Sequence, residues 1–439
     1  VSTTAANCDP NVSETRLFTI TEITTGSTEA GYVQKVDVDN DTYAPTAGVS
    51  ITNNWIRSVK SNYDNFEQES YGTFNRSFTV LGDYLYLTGR SANNANADCY
   101  LRAYSTKSGE WQRDIALPGE VQGDYFPCNN VLVDDAGHLL ISNMLLKINN
   151  TPLVIYQIDP ATGNSTWRAT LSTSEASGRI DHIDVLGDVT TGDFEVFAAL
   201  SRSNVIIRWT MQNGNLTQTK VTTVAALYPL TAANFGTSPR IKALNSSEVI
   251  VHGAAIQPTK YDVETGAIID SFESNIDLTK QGNANDGIDA FELCGKTFLL
   301  YSNGDYQTTY GHNYRLAMNA DGSDFAGMSV LWTLPKNGMG LVNSTTMSTP
   351  CFSVPGSRSN ERELYMYAPG NGIAKYTLTV AITGDVNRDG CVTAADVTAL
   401  YDYMLNNDTT HLSTSDVNGD GSITSADITA VYDVLLSSK

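Results

Sequence analysis

The chain has 439 residues, with 48 Asp and Glu against 27 Lys and Arg, for a formal charge of −21. That balance excludes nucleic acid as a partner, because a phosphate backbone is held by basic patches and no Lys/Arg cluster here is long enough. No stretch approaches eighteen apolar residues, which excludes a transmembrane segment, and the length suits two or three domains or one large β domain with a small module.

The chain begins at Val1 without methionine or an apolar leader, as expected of a processed protein. Low lysine and abundant Thr, Asn, Gly and Tyr point to a secreted protein, extracellular or cell-surface, with the periplasm as an alternative. Six cysteines, Cys8, Cys99, Cys128, Cys294, Cys351 and Cys391, are scattered without CxxC spacing. That is too sparse for a disulfide scaffold and wrong for zinc, while one or two bridges outside Cys391 stay open.

Between about residues 50 and 380 the pattern is short β-type runs punctuated by turns, with almost no helical segment. One set of turns carries Gly109, Gly163, Gly214, Gly266 and Gly322, spaced 54, 51, 52 and 56 residues apart. A second set interleaves with it, as in Gly82-Asp83 before Tyr84-Leu-Tyr-Leu87 and Asp135-Ala-Gly137 before Leu139-Leu-Ile141. Asp or Asn beside a glycine free to take positive φ is hairpin chemistry. Six units of about four short strands predict a mainly β fold, a six-bladed β-propeller, with seven blades as the alternative. The turn pattern is similar to that of secreted quinoprotein-like and YncE-like propellers. The last unit lacks an outer strand, so an N-terminal segment, Arg16-Leu-Phe-Thr-Ile20 or Val33-Gln-Lys-Val-Asp37, is expected to close the ring. In the seven-bladed alternative a further blade begins near Trp55.

In such a fold the first strand of each unit lines the channel. Polar residues recur at those strand entries: Arg76, Asn129, Arg179, Asp181, His182, Arg240, Asp286 and Asp289. They form the expected ligand-binding face, for a glycan or a protein. The bland alternative is a wet, polar channel whose groups satisfy one another. A catalytic version would use His182 with two carboxylates among Asp181, Asp184, Asp286 and Asp289 flanking a sugar bond. Trp111 and Trp167 sit at equivalent repeat positions and are expected to pack between blades. The Tyr-rich segment from Tyr301 through Tyr306 and Tyr310 to His312 is a further candidate for ligand contacts.

The last residues repeat one pattern at an interval of 31. The first copy offers oxygens from Asp385, Asn387, Asp389, the Cys391 carbonyl, Thr393 through water, and Asp396. The second offers Asp416, Asn418, Asp420, the Ser422 carbonyl, Thr424 and Asp427. Positions 1, 3, 5, 7, 9 and 12 of a twelve-residue loop are what a hard, six- to eight-coordinate calcium ion takes, with Gly390 and Gly421 at the sharp sixth position. Each loop precedes an apolar helix, Val397-Leu400-Tyr401-Met404-Leu405 and Ile428-Val431-Tyr432-Leu435-Leu436, whose i, i+3, i+4, i+7 spacing predicts one buried stripe. Position 12 is Asp, not Glu, and Tyr376–Val380 ahead of the first loop reads as strand, so these are EF-hand-like loops without an entering helix.

This duplicated loop-plus-helix resembles the type I dockerin module. The resemblance implies two calcium ions, a bacterial source, a small α-helical module at 382–439 beside a propeller at 1–381, and a cohesin-like docking partner. Loop positions 10 and 11 are Ala394-Ala395 and Ser425-Ala426, and the family's basic pair is replaced near Tyr401-Asp402 and Tyr432-Asp433. Classical cohesin specificity therefore does not carry over. The leading expectation is a non-catalytic binding protein, with a tethered polysaccharide-degrading enzyme (glycoside hydrolase or lyase) as alternative. In a third reading the module is an intramolecular brace.

Overall fold

The computed structural model describes residues 41–58, 76–90, 98–121, 126–225, 234–272, 285–304, 312–320, 322–339 and 348–437. Among these, the strands form six four-stranded antiparallel sheets, each built from consecutive hairpins. Blades 1 to 5 span residues 78–116, 130–171, 183–223, 240–271 and 288–334. Blade 6 takes three strands from 351–380 and its fourth, outermost strand, Val49–Ser58, from the other end of the chain. That strand pairs antiparallel with Gly372–Val380 from Val49 opposite Val380 to Ser58 opposite Gly372. The edge left open by the last unit is thereby covered, which removes a template for unwanted strand pairing. Trp55 lies within this closing strand, so it starts no seventh blade. The segments 16–20 and 33–37 lie outside the described residues.

First strands of neighbouring blades touch one another around a common axis. Apolar burial follows the seams between blades. Leu132, Leu140 and Ile155 of blade 2 pack on Ile183, Val196 and Trp209 of blade 3. Phe298, Leu316 and Trp332 of blade 5 pack on Ile51, Leu364 and Tyr376 of blade 6. Blade 6 meets blade 1 through Trp55, Tyr365 and Tyr367 against Phe78, Leu85 and Tyr104. No single blade encloses a core, so the ring must close before its apolar surface is buried.

The periodic glycines serve these seams. Gly163 (φ +79°) lies so close to the end of the previous blade's outer strand that an added Cβ would sit 2.2 Å from the Ala116 carbonyl oxygen. Gly266 presses on the Thr223 carbonyl in the same way, and Gly109 on the Trp55 ring of the closing strand. Positive φ and close approach together demand glycine there. Trp167 packs edge-on against Phe194 of the next blade at 5.4 Å. Trp111 departs from its expected place between blades: it is exposed on an outer strand, donates its ring N–H to Asp114 and lies beside Arg102. The strand register explains the difference: Trp111 pairs with Tyr104, whereas Trp167 pairs with Gln157, whose counterpart in blade 1, Ala103, pairs with Arg113, so the two tryptophans are not equivalent.

After Val380 the chain enters the two-helix module, α1 (Ala394–Asn406) and α2 (Ser425–Ser437). Its core is small: Val386, Val397, Ala399, Leu400, Ile428 and Val431. The predicted stripe is only half buried. Tyr401, Met404 and Leu405 on α1, and Tyr432 and Leu436 on α2, are exposed, outside the core that Val397, Ala399 and Leu400 form with Ile428 and Val431.

Candidate functional site

Two constellations carry chemistry. The first is the pair of loops. In each, the position-1 carboxylate accepts the backbone N–H groups of positions 5 and 6: Asp385 from Asp389 and Gly390, Asp416 from Asp420 and Gly421. The position-12 carboxylate reaches back across the loop, Asp396 to the N–H of Asn387 and Thr393, Asp427 to those of Val417, Asn418 and Thr424. Thr393 caps α1 by accepting from the Ala395 N–H, so ligand positions 9 and 12 double as a capping box. Gly390 and Gly421 take φ +92° and +86°.

The loops fit a hard divalent cation. Their side-chain donors are oxygens, and Cys391, whose thiol is free and exposed, would contribute through its carbonyl. Burial pushes the Asp385 acid up, and the Asp396 and Asp389 carboxylates push the same way against the Gly390 and Asp389 N–H groups. A cation among these carboxylates would offset that repulsion. Position 4 distinguishes the copies: Gly419 takes φ +72° freely, whereas Arg388 holds φ +59°, where a side chain is strained.

The second constellation lies where the inner strands begin, at one end of the channel. Seven of the eight predicted face residues fall into two clusters, one around Asp181 and one around Asp286, which the chain joins where His182 follows Asp181. Arg179 Nε lies 2.7 Å from Asp181, and its Nη2 donates to Ser238, which donates to the same carboxylate. Arg76 approaches Asp181 at 3.9 Å, and Asn129 donates to the Asp181 carbonyl. Asp286 accepts from Ser348 at 2.7 Å and from the Thr349 N–H at 2.6 Å. His182 Nε2 is 3.2 Å from Asp286 and Arg240 is 3.4 Å from it, while Arg240 also reaches Ser348. These contacts cross the channel: blade 1 to blade 3, blade 3 to blade 5, and blade 4 to blade 6. The eighth residue, Asp289, lies further down its strand. It accepts from Ser353 and shares Lys242 with Asp184, at 4.0 and 3.9 Å.

The network is buried. Asp181, His182, Asp286 and Asp289 are all at most 4% exposed, while Arg179 and Arg240 keep partly open side chains. Burial would raise the Asp286 acid, but Arg240 and His182 outweigh it and hold it below the usual carboxylate range. His182 is pushed down by burial and by Arg240, so it is neutral near pH 7. Asp289 is pushed up, by burial, with Lys242 opposing. Among the described residues, both ring nitrogens of His182, Asn129 Oδ1 and Arg240 Nε are buried without a hydrogen-bond partner, although His182 Nε2 approaches Asp286 to 3.2 Å. The sequence placed these residues on the face but not their partners Ser238, Ser348 and Thr349, whose only signal was their place at other strand entries. In the Tyr-rich segment, Tyr301 and His312 lie on paired strands, and residues 305–311 are outside the described residues.

The two sites lie at opposite ends of the channel strands. The network sits where inner strands start, whereas the module touches the turn at 356–360, where the inner strand of blade 6 ends.

Comparison with known proteins supports both halves. Residues 383–436 match the dockerin type I domain. A DUF4623 family protein from Bacteroides eggerthii superposes with TM-score 0.54 at 11% identity, over 70% of this chain and 71% of that one. A glucose dehydrogenase matches with TM-score 0.40 at 11% identity, over 75% of this chain and 99% of that one. BamB from Moraxella catarrhalis matches with TM-score 0.30 at 13% identity, over 68% of each chain. No curated protein matches. At such identities the first likeness speaks for the fold alone, and the other two carry no argument. Among the described residues no helix is long and apolar enough to cross a membrane. The chain carries a dockerin type I domain, from which calcium binding follows, behind a six-bladed β-propeller.

Proposed function

We propose that this is a secreted, non-catalytic docking protein. The dockerin domain, folded around two calcium ions, binds a cohesin-like partner and presents the far end of the propeller to a glycan or protein. Each ion is held by one loop: Asp385, Asn387, Asp389, Cys391, Thr393 and Asp396, and their counterparts Asp416, Asn418, Asp420, Ser422, Thr424 and Asp427. The observation that carries the docking reading is a duplicated exposed apolar pair. Tyr401 and Leu405 on α1 are 45% and 75% exposed, and Tyr432 and Leu436 on α2 are 48% and 67% exposed. A module with so small a core gains little by leaving two leucines in water, and covering each is worth roughly 1.5–3 kcal/mol.

At the channel mouth the groups open to a ligand are Arg179 and Arg240, with Asp181, His182 and Asp286 beneath them. The rival reading, a polysaccharide-cleaving enzyme, needs a protonated carboxyl facing substrate. Asp289, the channel acid that burial pushes up, is itself buried against Ser353 and Lys242.

The test is binding of the full chain to an array of immobilised cohesin domains, with calcium and with EDTA, for wild type and the double variant L405D/L436D. Calcium-dependent capture lost in the double variant, with the melting temperature unchanged, supports docking through this face. Capture indifferent to both sinks it. Product release from polysaccharide by the wild-type chain would favour the enzyme.

A further inference from the structure

The two calcium loops repeat in sequence but not in surroundings. Asp385 is buried and Asp416 exposed. Ser359, on the turn between the first two strands of blade 6, donates to the Gly390 carbonyl at 2.5 Å and lies 3.9 Å from the Cys391 sulfur. A Cβ at Gly390 would meet Asn360 Oδ1 at 2.9 Å and Arg358 Cβ at 3.1 Å; at Gly421 it would meet nothing within 4 Å. Asn360 in turn exchanges two hydrogen bonds with Val380, donating from Nδ2 to its carbonyl and accepting its N–H, both at 2.9 Å. Val380 ends the strand that pairs with the closing strand, and the next residue, Ala381, donates to Gly48 at 2.8 Å. An unbroken series of contacts thus runs from the first loop through the blade 6 turn to the strand that closes the ring.

We infer that the two calcium sites are unequal: the first is gripped by blade 6 and is coupled to ring closure, whereas the second binds and releases calcium without the propeller. The inference rests on the calcium reading above. Its physical basis is reciprocity. If calcium orders the loop that the turn must grip, calcium favours the closed blade, and the closed blade raises calcium affinity at that loop by the same factor.

Two glycine variants isolate the effect. G390A and G421A impose similar backbone strain, at φ +92° and +86°, but only the first drives a methyl group into the propeller. Amide hydrogen exchange of the full chain is followed across a calcium titration. In wild type, protection of Val49–Ser58 and Gly372–Val380 should rise with filling of the first loop, while Ile183–Asp188 in blade 3 stays unchanged. G421A should keep that response; G390A should abolish it and move first-loop filling to several-fold higher calcium. S359A leaves both loop backbones intact and should shift the first site alone, which guards against misfolding in G390A. Equal shifts in the two glycine variants, or blade 6 protection indifferent to calcium while both loops fill, would overturn the coupling. A chain that takes up no calcium would instead strike the calcium reading itself.

Discussion

The propeller and the dockerin module solve the same problem in opposite ways. The propeller buries both its apolar side chains and its charges, the former in seams between blades and the latter in a network across the channel. The module, with six buried core residues, keeps apolar side chains outside and gathers carboxylates inside two loops. A ring large enough to enclose its own core stabilises itself through the chain. On the function proposed above, a segment too small to do so would lean on an ion and offer its hydrophobic surface to a partner.

Removing the ion is the sharpest way to break that comparison. Chelation should abolish the helical signal of α1 and α2, thirteen residues each, and leave the bulk of the β signal intact in far-UV circular dichroism. Collapse of both together would show that the propeller too depends on calcium for its fold.

The next largest effect lies in the network. D286A removes the buried carboxylate shared by the buried His182 and the partly open Arg240. Breaking a buried pair from one side costs about 3–5 kcal/mol, so the midpoint of the propeller's denaturant unfolding should fall accordingly. The same change should leave calcium uptake by the second loop unaltered.

A smaller effect comes from pH. His182 and His252 are both pushed below the ordinary imidazole range, in each case first by burial, with Arg240 adding to the effect on His182. The unfolded chain therefore takes up protons at these positions more readily than the folded one. Their contribution is complete above an ordinary imidazole pKa of about 6.5 and is lost as pH falls below it, at no more than about 1.4 kcal/mol per pH unit for each group. The slope of propeller stability between about pH 6.5 and 5 should be shallower in H182Q. An unchanged slope would mean that His182 is not the group taking up the proton.

The parts legible in the sequence are local. A calcium loop declares itself within twelve residues because every ligand comes from one short turn, and position 6 can be recognised from its glycine. The blade count followed from turn chemistry recurring at a fixed interval, since a hairpin is also a local object. The entries to the inner strands could be named for the same reason, and Arg179 does meet Asp181 as Arg240 meets Asp286. Their depth could not be read: a polar residue at a strand entry looks the same in sequence whether it faces a ligand or a guanidinium from across the channel.

Sequence by itself therefore determined the repeat, the two loops with their oxygen donors, and the residue types at the channel. Tertiary structure alone decided which strand closes the ring, which half of each helical stripe stays exposed, and which of two near-identical loops is gripped. Each of these depends on residues far apart in the chain, as Val49 meets Val380 and Ser359 meets Gly390. Periodicity fixes which way a side chain points; only the packed neighbour determines whether anything is there to meet it.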